Sequence, residues 1–194
     1  MTRTFVALMI PAAWADFLGE FSRALGAGMG GLSWVKPENL HLTIRFLGDL
    51  GDSGIHRACD SVVSSAEGFA APIARLGLLG AFPNLARPRV LWVGLAEGAE
   101  EVLSLARAIN DGLDRTGFGP PDKPVRAHIT LARVREGARG LERLRDANLP
   151  PAPSATPLDR LCVMKSELDP AGSRYTALKE IHLRAPGGAA PPPP

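Results

Sequence analysis

The chain contains the same four-residue pattern twice, and this repeat constrains the fold more than any other feature. His41-Leu42-Thr43-Ile44 and His128-Ile129-Thr130-Leu131 both read histidine, apolar, threonine, apolar. Residues i and i+2 of a β-strand lie on the same face of a sheet. Each motif therefore predicts a strand with histidine and threonine on one face and two apolar residues on the other. Two such strands, one in each of two lobes, would place two imidazoles and two hydroxyls around one small cavity.

The rest of the chain predicts short elements in mixed order. Glycine and proline contribute 21 and 18 of the 194 residues, too many breaks for a bundle of long helices. Hydrophobic periodicity alternates between strand and helix spacing, which favours an α+β fold with antiparallel or mixed sheets. Each half carries a histidine strand followed by a helix and two strands. The predicted strands are 4–10, 33–35, 41–47, 73–79, 90–95, 127–134, 158–166 and 174–183; the predicted helices are 12–25, 52–65, 99–116 and 139–147.

Length and composition suit one domain, or two small lobes that share a core. We expect a single bilobal domain over residues 1–184. Residues 185–194 form a low-complexity tail of glycine, alanine and proline that we expect to be disordered. Nothing in the sequence demands an oligomer, so a monomer is expected.

The sequence also bears on compartment and partners. Pro11 ends the first apolar run after six residues, which is too short for a typical signal peptide, and no run approaches the ~20 residues of a membrane span. We interpret Cys59 and Cys162 as buried thiols in a reducing cytosol, so a cytoplasmic location is expected. The net charge of +2 neither indicates nor excludes nucleic-acid binding.

Paired histidines suit phosphodiester cleavage. Histidine titrates near ~6.5, so at neutral pH one imidazole can be neutral while the other is charged. The neutral ring takes a proton from the attacking water and the charged ring gives one to the leaving alkoxide. Threonine hydroxyls and an arginine would stabilise the phosphoryl oxygens. A metal is the rival use of two histidines, but neither motif offers Asp, Glu or Cys nearby as a third ligand. We therefore predict no metal and no cofactor.

Other motifs are weaker. Gly26-x-Gly28-x-x-Gly31 matches a dinucleotide-binding pattern, but it follows a predicted helix and precedes an extended segment, which is the wrong context. No P-loop lysine pattern occurs. His56 and His182 have no motif partner and are interpreted as surface or packing residues. Several arginines could form a basic rim for an RNA end or simply a solvated surface: Arg87, Arg89, Arg133, Arg135, Arg139, Arg143 and Arg145.

The paired motifs resemble the signature of the two-histidine phosphoesterase superfamily, and within it the RNA 2′,3′-cyclic phosphodiesterases, also called 2′-5′ RNA ligases. Flanking residues agree with this resemblance, which covers about residues 4–183. The similar segments are Trp34-Val35-Lys36-Pro37-Glu38-Asn39-Leu40, Phe46-Leu47-Gly48, Arg87-Pro88-Arg89-Val90-Leu91-Trp92, and Ser166-Glu167-Leu168 with Gly172 and Tyr175. The resemblance implies a bilobal α+β fold in which antiparallel sheets with flanking helices face a central cleft.

The resemblance also implies residue roles. His41 would donate a proton to the leaving O3′, and His128 would accept one from water. Thr43 and Thr130 would contact the phosphate, and so would Arg133.

Strand alternation complicates the assignment of the arginines. Alternation places Arg133 on the face opposite His128, so Arg133 would need a strand end or a bulge to reach the phosphate. Arg45 shares the face of His41 by the same counting and is a candidate accessory contact.

Three functions remain open at this point. The first is hydrolysis of 2′,3′-cyclic phosphate at RNA 3′ ends, or in cyclic nucleotides, to a 2′-phosphate. The second is reversible 2′-5′ RNA ligation, in which a 5′-hydroxyl replaces water. The third is non-catalytic binding of phosphorylated RNA ends, which the intact pair of motifs disfavours.

Overall fold

A computed structural model describes residues 1–167 and 172–187 of the chain. The sequence Asp169-Pro170-Ala171-Gly172 predicts a turn between the last two strands; this turn falls largely outside the described ranges, as does most of the predicted tail. The strands are β1 (Thr2–Met9), β2 (Gly30–Trp34), β3 (His41–Leu50), β4 (Ile73–Phe82), β5 (Val90–Glu97), β6 (His128–Arg139), β7 (Thr156–Pro157), β8 (Arg160–Glu167) and β9 (Arg174–His182). The α-helices are α1 (Ala12–Gly26), α2 (Asp52–Ala66) and α3 (Ala99–Leu113), and short 3₁₀ turns lie at Pro37–Asn39 and Leu141–Arg145.

The described strands form one nine-stranded sheet made of two halves. Its order is β7-β4-β5-β6-β3-β1-β8-β9, with β2 paired to β6 off this path, and the paired strands run antiparallel. We call β3-β1-β8-β9 the first lobe and β6-β5-β4-β7 the second lobe. The halves of the sequence interleave, because the strand pair that follows each histidine strand joins the other lobe. The α+β, bilobal prediction is thus confirmed, although each histidine strand's lobe is completed from the other half of the chain.

Among the described residues, one ladder pair joins the two histidine strands. Leu42 of β3 pairs with Ile129 of β6, and beyond that pair the two strands diverge. Strand β2 takes the neighbouring place along β6, where Trp34 pairs with Ala132. The two predicted sheets are therefore one sheet whose central strands are paired at only one described position.

The helices cover one face of this sheet, and the opposite face carries a smaller buried cluster around Phe5. Apolar side chains of the three helices pack against the second and fourth residues of each motif, so those motif residues are almost fully buried. Burial of this apolar surface is the main favourable term in folding. The central members of the core are Trp14, Leu18, Leu42, Ala58, Val62, Leu105, Ile109, Ile129 and Leu131. The face opposite the helices carries the motif histidines and threonines.

Two β-bulges occur at equivalent positions of the histidine strands. Along β1 and β3, Ala7 pairs with Thr43 and Val6 with Arg45, so Ile44 has no partner. Along β5 and β6, Trp92 pairs with Thr130 and Leu91 with Ala132, so the residue between them is likewise unpaired. An extra residue reverses the alternation of faces beyond it.

The helices differ from the predictions in the following details, and several strands extend beyond their predicted ends. Asp52 and Ser53 are residue types that favour a helix N-cap, but α2 starts at Asp52 after Gly51 and has no side-chain cap. Helix α3 ends at Leu113 and continues as a π-turn to Phe118, because Gly117 has a φ of 89° that an α-helix does not allow. The predicted helix at 139–147 is a 3₁₀ turn, because β6 extends to residue 139.

Of the two free cysteines, Cys162 is buried as expected, whereas Cys59 is only half-buried. Among the described residues, no helix has the length and apolar character needed to cross a membrane.

Candidate active site

The joint between the lobes brings the four motif residues together. The antiparallel register of the Leu42–Ile129 pair sets His41 opposite Thr130 and Thr43 opposite His128. The charge of a protonated His128 acts on His41, so the two imidazoles are near neighbours. The pair is thus the centre of a two-fold arrangement in which histidine and threonine alternate. We refer to these four residues as the tetrad, and the sequence motif predicted all of them.

Both imidazoles are oriented by a backbone carbonyl two residues earlier. His41 Nδ1 lies 2.7 Å from the carbonyl oxygen of Asn39, and His128 Nδ1 lies 2.8 Å from that of Arg126. The carbonyl is an acceptor only, so each Nδ1 carries the hydrogen and donates it. Nε2 of each ring is left as the nitrogen for proton transfer.

Sequence reasoning missed this orienting contact, although a signal was present. Lysine and proline precede each histidine by five and four residues, as Lys36-Pro37 and Lys123-Pro124. The repeated unit is therefore longer than the tetrapeptide, and it includes the segment that presents the carbonyl.

His41 lies in the more enclosed of the two environments. The ring of Phe5 is 5.1 Å from the imidazole between centroids, and the ring of Tyr175 is 5.5 Å away in an edge-on arrangement. His41 Nε2 also lies 3.0 Å from the Thr43 hydroxyl oxygen. In the neutral ring Nε2 accepts from this hydroxyl, whereas in the protonated ring it donates.

His128 is held against two other aromatic rings. The ring of Phe82 lies 5.1 Å from the imidazole and that of Trp92 lies 6.0 Å away, both edge-on. The indole needs the space over Gly80, because a Cβ there would lie 2.4 Å from the Trp92 ring. Glycine on the neighbouring strand thus fixes the aromatic support of His128.

Burial lowers the pKa of both histidines. For His41, burial is the largest cause, the Asn39 carbonyl opposes it, and the positive charge of a protonated His128 lowers the pKa further. For His128, burial is again largest and is opposed by the Arg126 carbonyl, while the positive Arg126 side chain lowers the pKa. That guanidinium lies over the Phe82 ring at 5.2 Å. Because each charge disfavours the other, the pair favours holding one proton over two.

Because of the bulges, two arginines lie on the opposite faces of the sheet from those that strand alternation predicted. Beyond the bulge in β6, Arg133 lies on the tetrad face, paired with Val90, and its side chain is exposed. The bulge that Arg133 would need in order to share the face of His128 is therefore present. Phe46 holds the equivalent position in β3 and is 60% exposed.

Arg45 is not a contact of the site, which corrects the expectation from alternation. The bulge at Ile44 turns its side chain to the helix face, where it is 6% exposed. There it donates hydrogen bonds to Asn110 and to the carbonyl oxygens of Phe118 and Gly119. Arg45 therefore ties β3 to the end of α3.

The remaining candidates fall outside the tetrad. In the described ranges, no three His, Cys, Asp or Glu side chains lie close enough together to hold a metal ion. His56 and His182 are exposed, as interpreted from the sequence. The glycine pattern at 26–31 leads into β2 rather than a helix, so the context of a dinucleotide site is missing. Every arginine of the predicted rim is exposed.

Comparison with known proteins gives a consistent result. A family model described as "LigT like Phosphoesterase" matches the chain twice, over residues 8–92 and 93–175. A Thermotoga maritima protein named RNA 2′,3′-cyclic phosphodiesterase is 30% identical over 182 residues, which is 93% of this chain and 95% of the relative. An Archaeoglobus fulgidus protein of the same name is 35% identical over 133 residues, 69% of this chain and 73% of the relative.

Solved structures agree at the level of the fold. The crystal structure of a Thermus thermophilus protein superimposes with a TM-score of 0.76 at 29% identity, covering 95% of this chain and 99% of that one. The apo structure of E. coli LigT gives a TM-score of 0.71 at 23% identity, covering 94% and 98%.

Proposed function

The chain belongs to the LigT-like phosphoesterase family, and we propose that it hydrolyses 2′,3′-cyclic phosphate at RNA 3′ ends, or in cyclic nucleotides, to a 2′-phosphate. The observation that carries the proposal is the tetrad, in which two oriented imidazoles alternate with two hydroxyls around one residue pair. The proposal is supported by relatives named RNA 2′,3′-cyclic phosphodiesterase, which this chain matches over most of their length. We propose that residues 1–184 form a single domain with this activity, and that the protein is a cytoplasmic monomer.

The proposed reaction assigns one proton transfer to each histidine. Nε2 of His128 accepts a proton from water as the water oxygen forms a bond to phosphorus. Nε2 of His41 donates its proton to O3′ as the P–O3′ bond breaks. The phosphate remains on O2′, and the pair holds one proton before and after the reaction. This cycle suits two rings whose charges disfavour each other.

The hydroxyls and Arg133 are proposed to stabilise the phosphoryl oxygens. When His41 is protonated, its Nε2 no longer needs the hydrogen of the Thr43 hydroxyl, which is then free to turn to a phosphoryl oxygen. Thr130 has no side-chain hydrogen-bond partner among the described residues, so its hydroxyl is available for the same role. The guanidinium of Arg133 would add two donors in a fixed fork.

Hydrolysis should persist after exhaustive chelation, because proton transfer and fixed donors supply the catalysis. The test is turnover of adenosine 2′,3′-cyclic phosphate in the presence of EDTA, with the product separated from authentic 2′- and 3′-AMP. We expect 2′-AMP at an unchanged rate. Loss of activity that zinc or manganese restores would contradict the metal-free mechanism. Ligation without hydrolysis, or binding without turnover, would contradict the assigned reaction.

The pH profile of kcat/KM should be bell-shaped with its maximum below pH 6.5. This parameter reports the free enzyme, in which one imidazole must be charged and the other neutral. Both pKa values lie below the ordinary value of 6.5, so the proton of the acid is lost as the pH rises through this lower range. The anionic substrate favours protonated rings, so the profile of kcat should lie at higher pH. A kcat/KM maximum above pH 7 would contradict the assignment.

A further inference from the structure

A pocket with a volume of about 260 Å³ lies beside His41, and the function proposed above leaves it without a role. We propose that this pocket binds the phosphodiester on O5′ of the nucleotide whose cyclic phosphate is hydrolysed, so that RNA ends are preferred to cyclic mononucleotides. The inference rests on the proposed function and specifies its substrate class. The polar residues that line the pocket are Lys36, Glu38, Asn39, Ser173, Arg174 and Tyr175.

Two of the lining residues also support the catalytic histidine. The backbone carbonyl of Asn39 orients His41, and the Asn39 side-chain amide donates a 2.7 Å hydrogen bond to the carbonyl oxygen of Ser173. Tyr175 presents its ring to the same imidazole. The pocket and the reacting centre therefore share a wall.

The charges of the pocket suit an anion. Lys36 and Arg174 are exposed and, among the described residues, neither has a salt-bridge partner, whereas Glu38 contributes one negative charge. Two cations against one carboxylate leave one positive charge. Arginine offers a fork of donors that matches two phosphate oxygens, and lysine adds a point charge.

The size of the pocket and the chemistry of the substrate limit what binds there. Pockets for drug-sized ligands are about 300–1,000 Å³, so this one suits a single phosphate with part of a sugar rather than a whole nucleotide. The cyclic phosphate already occupies O2′ and O3′ of the terminal ribose. The nearest remaining anionic group of an RNA end is the phosphodiester on O5′ of that same ribose.

Three substrates distinguish the contribution of this phosphate from that of other parts of RNA. Adenosine 2′,3′-cyclic phosphate has no 5′-phosphate, its 5′-phosphorylated form has the phosphate alone, and the dinucleotide ApA 2′,3′-cyclic phosphate adds the upstream nucleoside. We expect Lys36→Ala and Arg174→Ala each to lower kcat/KM about tenfold for the two substrates with a 5′-phosphate. The value for adenosine 2′,3′-cyclic phosphate should change less than twofold. Each variant should also reduce the salt dependence of kcat/KM for the dinucleotide.

Lys179→Ala is the matched control, because Lys179 pairs with the buried Val163 and lies on the helix side of the sheet. It removes the same charge away from the pocket and should change no substrate selectively. Equal losses on all three substrates in the pocket variants would overturn the inference, and so would unchanged values. An effect confined to the dinucleotide would assign the pocket to the upstream nucleoside and also overturn it. A wild-type enzyme that hydrolyses none of the three would refute the proposed function itself.

Discussion

Replacing His41 or His128 with alanine should lower kcat by about 10²–10⁴, the usual scale for loss of a general acid or base. Each ring is held by a backbone carbonyl and two aromatic neighbours on the face opposite the helices, so its loss should leave the main core intact. Steady-state kinetics on adenosine 2′,3′-cyclic phosphate give the rates, and circular dichroism verifies the fold.

His56→Ala is the control for these variants. His56 is an exposed histidine on α2, on the helix side of the sheet, and its loss should leave kcat within about twofold of wild type. Near-wild-type turnover in either motif variant would show that the two imidazoles are not the acid and base.

Arg133→Ala should lower kcat by about 10²–10³, the usual scale for removal of one donor from a site of developing negative charge. The bulge in β6 presents this guanidinium on the tetrad face, and no described residue forms a salt bridge with it. The unfolding free energy should hardly change, because the side chain is exposed. Arg107→Ala, at an exposed position on α3, serves as the kinetic control and should have no effect.

Replacement of Arg45, in contrast, should affect stability rather than turnover. Its guanidinium bonds to Asn110 and to two backbone carbonyls beneath the sheet. Arg45→Met leaves these acceptors unsatisfied and should lower the unfolding free energy by about 1–3 kcal/mol in urea titrations. Its kcat should stay within a few-fold of wild type. A variant pair with the two phenotypes exchanged would show that alternation, and not the bulge, decides which arginine faces the substrate.

The contrast between these arginines shows where sequence reasoning succeeded and where it failed. Strand periodicity alone placed His41 and Thr43 on one face, and the repeat placed their counterparts beside them. A bulge inserts one residue without altering the apolar pattern, since Ile44 suits either a regular or a bulged strand. Counting by two therefore failed beyond the bulge, and it put Arg45 on the wrong face.

The interleaving of the two lobes could not be predicted from the order of elements along the chain. The order of elements indicated an α+β fold, but it did not show that β4 and β5 join the lobe of the second histidine strand. The pocket beside His41 has the same origin, since its walls come from residues 36–39 and 172–175, and the Asn39–Ser173 hydrogen bond spans 134 positions of the chain. Only the sheet order brings these segments together.

The most direct test of the central claim is the pH–rate profile of the wild type and the two histidine variants under chelation. The wild type should give a bell-shaped profile. His41→Ala should lose the alkaline limb, because the acid that fails at high pH is gone. His128→Ala should lose the acidic limb, because the base that becomes protonated at low pH is gone. Persistence of both limbs in either variant would contradict the paired acid–base mechanism, and loss of the opposite limbs would contradict the roles assigned to His41 and His128.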